Sequence, residues 1–285
     1  MPIIADHLTY IYNKGTAYES KAVDDVSFKI DDGEYVAVIG HTGSGKSTLI
    51  QLLNGLLRPQ CGTVYVNGED IFVKDYNLKA LRGRVGIVFQ YPEYQLFEED
   101  VFTDVCFGPK NMGLSRKETE LRAYEALKLV ELPDETFFQS PFDLSGGEKR
   151  KAAIAGVLAM KPEVLIMDEP TAGLDPEGRE WIFRLVRKLR KESSTSVIMV
   201  SHSMDDMAEH AKRILVMDKG SVVMDGTPSA VFSYYDELKE MGLDIPEASK
   251  VMHMLKERGI NVNTDIVTLK QAADEIEKLF RRNPA

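Results

Sequence analysis

One short stretch of sequence decides the fold of this chain: Gly40-His41-Thr42-Gly43-Ser44-Gly45-Lys46-Ser47. It fits the pattern G-x-x-x-x-G-K-[ST] at every position, follows the apolar run at residues 34–39 and precedes a helical pattern that begins near Lys46. Glycines lack a Cβ atom, so the backbone can curl until successive N–H groups point at phosphate oxygens, and the helix N-terminus adds its positive dipole end. The stretch therefore predicts a phosphate-binding loop between a strand and a helix.

This loop predicts a site for ATP with a magnesium ion. Lys46 is expected to reach the β- and γ-phosphates, and the Ser47 hydroxyl is expected to ligate Mg²⁺. The predicted nucleotide contacts in this region are the residues of the loop and the start of its helix: Gly40, His41, Thr42, Gly43, Ser44, Gly45, Lys46, Ser47 and Thr48.

Two carboxylates follow a second apolar run, Val164-Leu165-Ile166-Met167-Asp168-Glu169. Parallel strands present their carboxyl ends at one edge of a sheet, so both acids are expected beside the phosphate loop. We expect Asp168 to hold the Mg²⁺ shell and Glu169 to polarise the water that attacks the γ-phosphate.

The order of apolar and amphipathic segments predicts an α/β fold. Apolar runs at residues 34–39, 164–167 and 196–200 indicate strands, and residues 177–192 have helical spacing. Strands that alternate with helices are typical of a parallel sheet covered on both faces. By contrast, residues 115–130 and 146–160 have helical patterns with little strand character nearby, which predicts a helical subdomain over about 91–155.

The last part of the chain is predicted to be a small helical domain. Thr227 is suited to cap a helix that starts at Pro228, and Gly242, Pro246 and Gly259 are expected to break the remaining helices. The predicted division is an ATPase domain at residues 1–228 and a C-terminal helical domain at residues 229–285.

Composition excludes several classes of function. A net charge of −10, without a long Lys/Arg block, argues against a nucleic-acid partner. The longest apolar runs fall far short of the ~20 residues that cross a bilayer, and the first residues lack a signal-peptide pattern, which predicts a cytoplasmic protein. Cys61 and Cys106 form no C-x-x-C pair, so we assign them no metal or disulfide role.

A third motif, Leu144-Ser145-Gly146-Gly147-Glu148, opens a predicted helix and resembles the signature of the ABC (ATP-binding cassette) ATPases. The family's other marks follow in the expected order: Gln90 at the end of a strand at 85–89, the run Ala172-Gly173-Leu174-Asp175, and His202 after the strand at 196–200. The resemblance covers about residues 3–230. It implies a P-loop NTPase core with a RecA-like parallel-sheet lobe and an N-terminal antiparallel β region.

The resemblance also implies that two chains share each ATP. Ser145 and the amides of Gly146 and Gly147 would form a helix N-terminus that binds anions and, in this family, faces the nucleotide of the partner subunit. Glu148 departs from the glutamine that is commonest there, which weakens the expectation for this half-site.

Three further roles follow from the same resemblance. His202 is expected to contact the γ-phosphate and the attacking water, and Asp175 to lie in a loop that crosses to the partner. Gln90 is expected to contact Mg²⁺ or the water and to sense the transporter.

The adenine base is expected to stack on an aromatic side chain upstream of the phosphate loop. Tyr12 matches the family position best, and Tyr18 is the second candidate. Strand alternation places Tyr10 on the same face as Tyr12, so a packing role for either tyrosine stays open.

Residues 89–99 and 105–111 closely resemble the energy-coupling factor (ECF) subgroup, which imports vitamins and transition-metal ions, and within it the second of the two ATPase subunits. This resemblance implies a second ABC ATPase subunit, identical or different, together with a transmembrane coupling subunit and a substrate-binding membrane subunit. A groove near residues 90–97 would receive a helix of the coupling subunit. The chain would then be a peripheral protein on the cytoplasmic face of the membrane.

Other interpretations are less favoured but remain open. An ABC ATPase of another importer would share every motif above. An ABC protein of DNA repair or translation usually carries a long coiled coil or two cassettes, whereas Lys46 and Ser145 are only 99 positions apart here. Intact Glu169 and His202 speak against a scaffold that binds ATP without hydrolysing it.

Overall fold

The computed structural model describes residues 2–282, with side chains up to residue 280, and has two β-sheets flanked by helices. The strands are β1 (Ile3–Tyr12), β2 (Ser20–Ile30), β3 (Tyr35–Ile39), β4 (Cys61–Val66), β5 (Glu69–Asp70), β6 (Val85–Val88), β7 (Val164–Asp168), β8 (Ser196–Val200), β9 (Arg213–Asp218) and β10 (Ser221–Gly226). The α-helices are α1 (Lys46–Leu53), α2 (Leu78–Arg84), α3 (Val101–Asn111), α4 (Arg116–Leu129), α5 (Gly146–Leu158), α6 (Pro176–Ser193), α7 (Met204–His210), α8 (Pro228–Phe232), α9 (Tyr235–Glu240), α10 (Glu247–Glu257) and α11 (Leu269–Arg282). The predicted α/β class is confirmed.

The larger sheet has the strand order β10-β9-β3-β8-β7-β6. Its strands run parallel from β9 to β6, and only β10 pairs antiparallel with its neighbour. Every residue of β3, β7 and β8 is buried, because helices cover both faces of the sheet, and this burial explains the uninterrupted apolar runs in the sequence. The segments that follow these three neighbouring strands emerge at one edge of the sheet, where the predicted site residues are expected.

The smaller sheet is antiparallel, with the order β2-β1-β4-β5, and confirms the predicted N-terminal β region. Its residue Val23 shares one apolar core with Leu49 and Leu53 of α1 and with Val36 of β3. Helix α1 is therefore packed between the two sheets, and this packing holds the loop that precedes it.

The helical subdomain consists mainly of α3, α4 and α5. The helices predicted over 115–130 and 146–160 are α4 and α5, and each begins directly after a serine, Ser115 or Ser145, whose side chain caps it. Helix α3 was not singled out from the sequence, and Pro109 lies inside it. The three helices share a second apolar core with α6 and the other face of the large sheet.

The C-terminal helices belong to two cores. Helix α8 begins at Pro228, and its cap is confirmed: the Ala230 N–H donates to the Thr227 hydroxyl at 3.3 Å. Val231 and Phe232 are buried in the same core as the helical subdomain, whereas a small separate core contains Ala248, Met252, Val262, Ile266 and Ala272. The domain division at residue 228 stays a prediction. Within residues 2–282, no helix is both long and apolar enough to span a bilayer.

Candidate active site

The phosphate loop connects β3 to α1 and packs closely against its surroundings. Gly45 has a φ angle of 103°, and a Cβ atom there would lie 2.1 Å from the carbonyl oxygen of Ala22. At Gly40 a Cβ atom would lie 2.4 Å from the carbonyl oxygen of Met217. Only glycine fits at these two positions, so the curled backbone that the motif predicts is required by the packing.

Lys46 points back into its own loop. Its Nζ atom donates hydrogen bonds to the carbonyl oxygens of Gly40 at 2.7 Å and His41 at 2.9 Å. Burial lowers the pKa of this ammonium group, while the nearby carboxylates of Glu169 and Asp168 act in the opposite direction. The lysine is thus held at the centre of the loop beside both predicted acids.

Two other loop side chains also have defined surroundings. The Ser44 hydroxyl is buried and has no hydrogen-bond partner among the described residues, so a phosphate oxygen would satisfy it. The ring of His41 contacts Asp218 through Nε2 at 3.1 Å and the carbonyl oxygen of Thr42 through Nδ1 at 2.7 Å. Thr42 and Gly43 are exposed, whereas His41 is partly buried.

Ser47 and Asp168 meet as predicted. The Ser47 hydroxyl is hydrogen-bonded to the buried Asp168 carboxyl, whose pKa burial raises, although this hydrogen bond opposes the rise. A hydroxyl beside a carboxylate provides the oxygen ligands that Mg²⁺ prefers, so these residues fit the ion. A bound cation would also offset the burial of the Asp168 charge.

Glu169 lies at the centre of a three-residue cluster. Its Oε1 atom is 2.8 Å from Nε2 of His202, and its Oε2 atom accepts a hydrogen bond from the Gln90 amide at 3.2 Å. The backbone of Glu169 is left-handed, with φ 48°, and its N–H donates to the carbonyl oxygen of Val200 at 3.0 Å. A strained backbone that aims a carboxylate into such a cluster is typical of a functional position.

The predicted place of Gln90 needs one correction. Strand β6 ends at Val88, so Gln90 does not end the strand but follows it by two residues. The chain turns here, because Tyr91 takes a left-handed conformation with φ 54° and a 3₁₀ turn begins at Pro92. This turn lets the Gln90 amide reach Glu169.

Tyr12 lies close to the phosphate loop helix. Its hydroxyl is 3.3 Å from the hydroxyl of Thr48, and its ring meets that of Tyr10 edge-on with centroids 4.9 Å apart. Tyr18 is 83% exposed and has no comparable contact with α1 among the described residues. The geometry therefore favours Tyr12 over Tyr18 as the platform for the base.

The signature residues form a second, exposed group. Ser145 caps α5 in a reciprocal arrangement: its hydroxyl and backbone N–H donate to the Glu148 carboxylate at 2.6 and 2.9 Å, and it accepts from the Glu148 N–H at 3.4 Å. These hydrogen bonds lower the pKa of Glu148, so this carboxyl stays ionised at neutral pH. A Cβ atom at Gly146 or Gly147 would meet nothing within 4 Å, so the surface beside them is open.

Asp175 caps α6 and is also exposed. Its Oδ1 atom accepts a hydrogen bond from the Gly178 N–H at 2.8 Å. No hydrogen bond among the described residues joins the signature group or Asp175 to the cluster around Lys46 and Glu169. Within the described residues, the sequence-predicted site thus forms two groups that no hydrogen bond connects.

Sequence reasoning missed one pair beside the site. Arg150, on α5, forms a buried ion pair with Glu93 in the turn after Gln90. The only sequence signal was an acid within the aromatic stretch at residues 91–97, and nothing in the sequence pointed to its partner 57 positions away.

Comparisons with known proteins agree with this geometry. Residues 23–172 match the family model described as ABC transporter. An energy-coupling factor transporter ATP-binding protein, EcfA2, from Clostridioides difficile is 53% identical over 283 residues, which cover 99% of this chain and 98% of the relative.

Two solved structures share the fold. CbiO1 from Clostridium perfringens, described as part of the ABC transporter complex cbiONQ, is 35% identical, covers 89% of this chain and 98% of its own, and superposes with a TM-score of 0.74. An ATP-binding cassette described as dimeric, in a post-hydrolysis state bound to ADP and Pi, is 30% identical, covers 79% of this chain and 98% of its own, and has a TM-score of 0.71.

The family match, the full-length relative and the two groups of site residues lead to one conclusion. This chain is an ATPase that belongs to the ABC transporter family and, within it, to the energy-coupling factor transporter ATP-binding proteins.

Proposed function

We propose that this chain binds Mg-ATP between its Lys46 loop and the Ser145 signature of a second ATPase subunit, and that hydrolysis drives uptake through an energy-coupling factor transporter. The observation that carries this proposal is the division of the site into two surfaces that share no hydrogen bond within the described residues. One surface holds the phosphate loop with Glu169, and the other presents the open glycines of the signature. A second chain in the opposite orientation would complete each site.

The residues of the first surface suit the chemistry of ATP hydrolysis. Lys46 exchanges its bonds to Gly40 and His41 for bonds to phosphate oxygens and neutralises part of their charge. Water attacks the γ-phosphorus while the bond to the β–γ bridging oxygen breaks, and Glu169 accepts the proton of that water. His202 holds the Glu169 carboxylate in place. When bound by Ser47, Asp168 and Gln90, Mg²⁺ would supply charge neutralisation at the phosphates.

The second surface, at the N-terminus of α5, is suited to bind the phosphates of the ATP that the partner subunit holds. The N-terminus of α5 is exposed, and the Ser145 hydroxyl and the first amides of the helix face solvent. The related cassette described as dimeric with ADP and Pi supports assembly of two such chains. The partner is either a second copy of this chain or a different ATPase subunit.

A groove beside Gln90 supports docking on a membrane subunit. Its volume is about 490 Å³, and it lies between α2, α3, α5 and the segment after β6. Phe97 and Phe107 meet edge-on with centroids 5.0 Å apart and are 57% and 45% exposed. An apolar groove of this size fits one helix of a transmembrane coupling subunit. The protein would then lie on the cytoplasmic face of the membrane, and a separate membrane subunit would select the vitamin or metal ion.

The hydrolysis proposal is tested with Glu169→Gln. We expect phosphate release to fall by about 100-fold or more, because the base is removed, while ATP binding is retained. The ATP-dependent dimer should live longer, because the nucleotide that joins the two chains is no longer cleaved. Glu118→Gln, which changes a paired carboxylate on α4, is the matched control and should hydrolyse ATP normally. Equal turnover in wild type and Glu169→Gln would contradict the assignment.

The docking proposal is tested with Phe97→Glu. A charge placed in the groove should reduce co-purification with a polytopic membrane protein from native membranes by about tenfold, because burying it is unfavourable. Phe138→Glu is the matched control, since Phe138 is 76% exposed and lies outside the groove. Recovery of both variants with the membrane protein at the wild-type level would contradict docking at this groove.

A further inference from the structure

A buried arginine outside the recognised motifs joins three parts of the site. Arg150, on α5, is 5% exposed. Its Nη2 and Nε atoms donate to the two carboxylate oxygens of Glu93 at 2.7 and 3.0 Å. Its Nη1 atom donates to the carbonyl oxygens of Ala172 at 2.8 Å and Pro170 at 3.4 Å. The planar guanidinium is suited to this set of acceptors, and a lysine ammonium group is not.

Each acceptor lies beside a residue of the proposed machinery. Glu93 is in the 3₁₀ turn Pro92–Gln95, which begins two residues after Gln90. Pro170 and Ala172 follow Glu169, and the Ala172 N–H donates to the carbonyl oxygen of Glu169 at 3.1 Å. Arg150 thus connects the 3₁₀ turn that leads into the groove with the turn that starts at Glu169, the proposed base.

The arginine is also rigidly connected to the signature. Ser145 caps the helix that carries Arg150, and five helical residues span only about 7.5 Å. A displacement of the α5 backbone at Arg150 is therefore also a displacement of the helix end that presents Ser145.

Arg150 is buried, Glu93 is partly buried, and both groups carry a charge. Burial would raise the pKa of Glu93, but the hydrogen bonds and the charge of Arg150, together with a backbone hydrogen bond, outweigh this effect and lower it, so the carboxyl stays ionised. The ring of Tyr91 lies over the guanidinium, with Cζ 5.9 Å from its centroid. Removal of either partner would leave the other, which is buried or partly buried, without its opposite charge, so the pair favours keeping the two segments together.

We propose that Arg150 is a positioning residue that transmits displacement of the groove to the signature and to the catalytic glutamate together. It touches no nucleotide; it acts through Glu93 on the groove side and through α5 and the turn after Glu169 on the site side. This inference rests on the proposed function, because it assumes that the groove receives the membrane subunit.

The test measures ATP hydrolysis in the complete complex of both ATPase subunits and the membrane subunits. Arg150→Gln and Glu93→Gln should each lower kcat by about tenfold, with KM for ATP within about threefold of wild type, because the phosphate loop is unchanged. The double variant should be no slower than Arg150→Gln, since that substitution already removes the ion pair that Glu93→Gln removes. Arg150→Lys should rescue only part of kcat, because it keeps the charge and loses the planar fork.

Arg116→Gln is the matched control. Arg116 pairs with Glu120 on its own helix, α4, and should keep wild-type kcat. The folded fraction of each variant is measured by binding of a fluorescent ATP analogue and by thermal unfolding. A loss of kcat that merely follows the folded fraction would overturn the inference, as would wild-type kcat in both single variants. If Arg150→Gln does not fold, the kcat values of Glu93→Gln and Arg150→Lys test the inference instead. A wild-type complex that does not hydrolyse ATP would instead overturn the proposed function.

Discussion

At the scale of single residues, Asp168 combines a functional position with a cost to stability. It is 7% exposed, and burial raises its pKa above the ordinary value. Its ionised form is therefore less favourable in the folded chain than in the unfolded chain, and it lowers the free energy of unfolding once the pH exceeds its ordinary pKa. Toward lower pH this penalty disappears as the carboxyl is protonated.

Asp168→Asn is expected to raise the midpoint of thermal unfolding at neutral pH, without nucleotide or magnesium, and to lower ATP hydrolysis by about 100-fold or more. Asparagine removes the buried charge and can still accept the hydrogen bond from Ser47. Asp25→Asn, which alters an exposed carboxylate paired with His7, should change neither quantity. Calorimetry and phosphate release check the prediction, and an unchanged or lower midpoint for Asp168→Asn would refute it.

Single residues were predictable where a local motif specifies their chemistry. Lys46, Ser47 and Asp168 meet as expected, because a short loop and a neighbouring parallel strand leave little freedom in their placement. The pair of Arg150 and Glu93 was not predictable, because two segments that are distant in sequence meet only in the folded subdomain.

At the scale of elements, the phosphate loop depends on the sheet that packs against it. A Cβ atom at Gly45 would overlap the carbonyl oxygen of Ala22, at the start of the smaller sheet's second strand. We expect Gly45→Ala to destabilise the nucleotide-free chain by more than about 3 kcal/mol, because backbone strain and steric overlap add. Urea unfolding measures the change.

Gly113→Ala is the control for this substitution. Gly113 also has a positive φ angle, 85°, but a Cβ atom there would meet nothing within 4 Å. Gly113→Ala should lower the free energy of unfolding by only about 1–2 kcal/mol, because the left-handed backbone is its one source of strain. Equal losses at the two positions would mean that the contact with Ala22 does not restrict the loop.

Two helices of the helical subdomain were predicted closely, and the third was not. Helices α4 and α5 lie where their spacing indicated, within two residues. Helix α3 was missed, because Pro109 and Gly108 near its end suggest a loop, although Asp100 caps its start. The end of β6 was placed too late, because Phe89 continues the apolar run beyond the last hydrogen-bonded residue.

At the scale of the whole molecule, the first C-terminal helices support the ATPase core. Val231, Phe232 and Leu238 are almost completely buried in the core that also contains the helical subdomain. Their burial contributes roughly 5–9 kcal/mol, a large share of the 5–15 kcal/mol typical of a folded domain. The sequence indicated the helices but not which core they join, since amphipathic spacing does not identify the surface that a helix covers.

A chain that ends at residue 228 is therefore expected to unfold at least 10 °C below the full-length chain or to aggregate. A chain that ends at residue 246 keeps these three side chains and loses the whole of the small core around Met252, so it should bind ATP with nearly full-length affinity. Thermal unfolding and nucleotide titration of both chains check the prediction. A stable, nucleotide-binding chain that ends at 228 would instead support the domain boundary predicted there.

The two contacts of the Glu169 carboxylate have a consequence for the resting protein. One oxygen contacts His202 and the other accepts a hydrogen bond from Gln90, so the two contacts engage two of the roughly four lone-pair sites of the carboxylate. Within the described residues they leave the other sites to the attacking water, so these neighbours fix the orientation of the base without blocking it. In the resting chain, the direction of the base is therefore set before any nucleotide arrives.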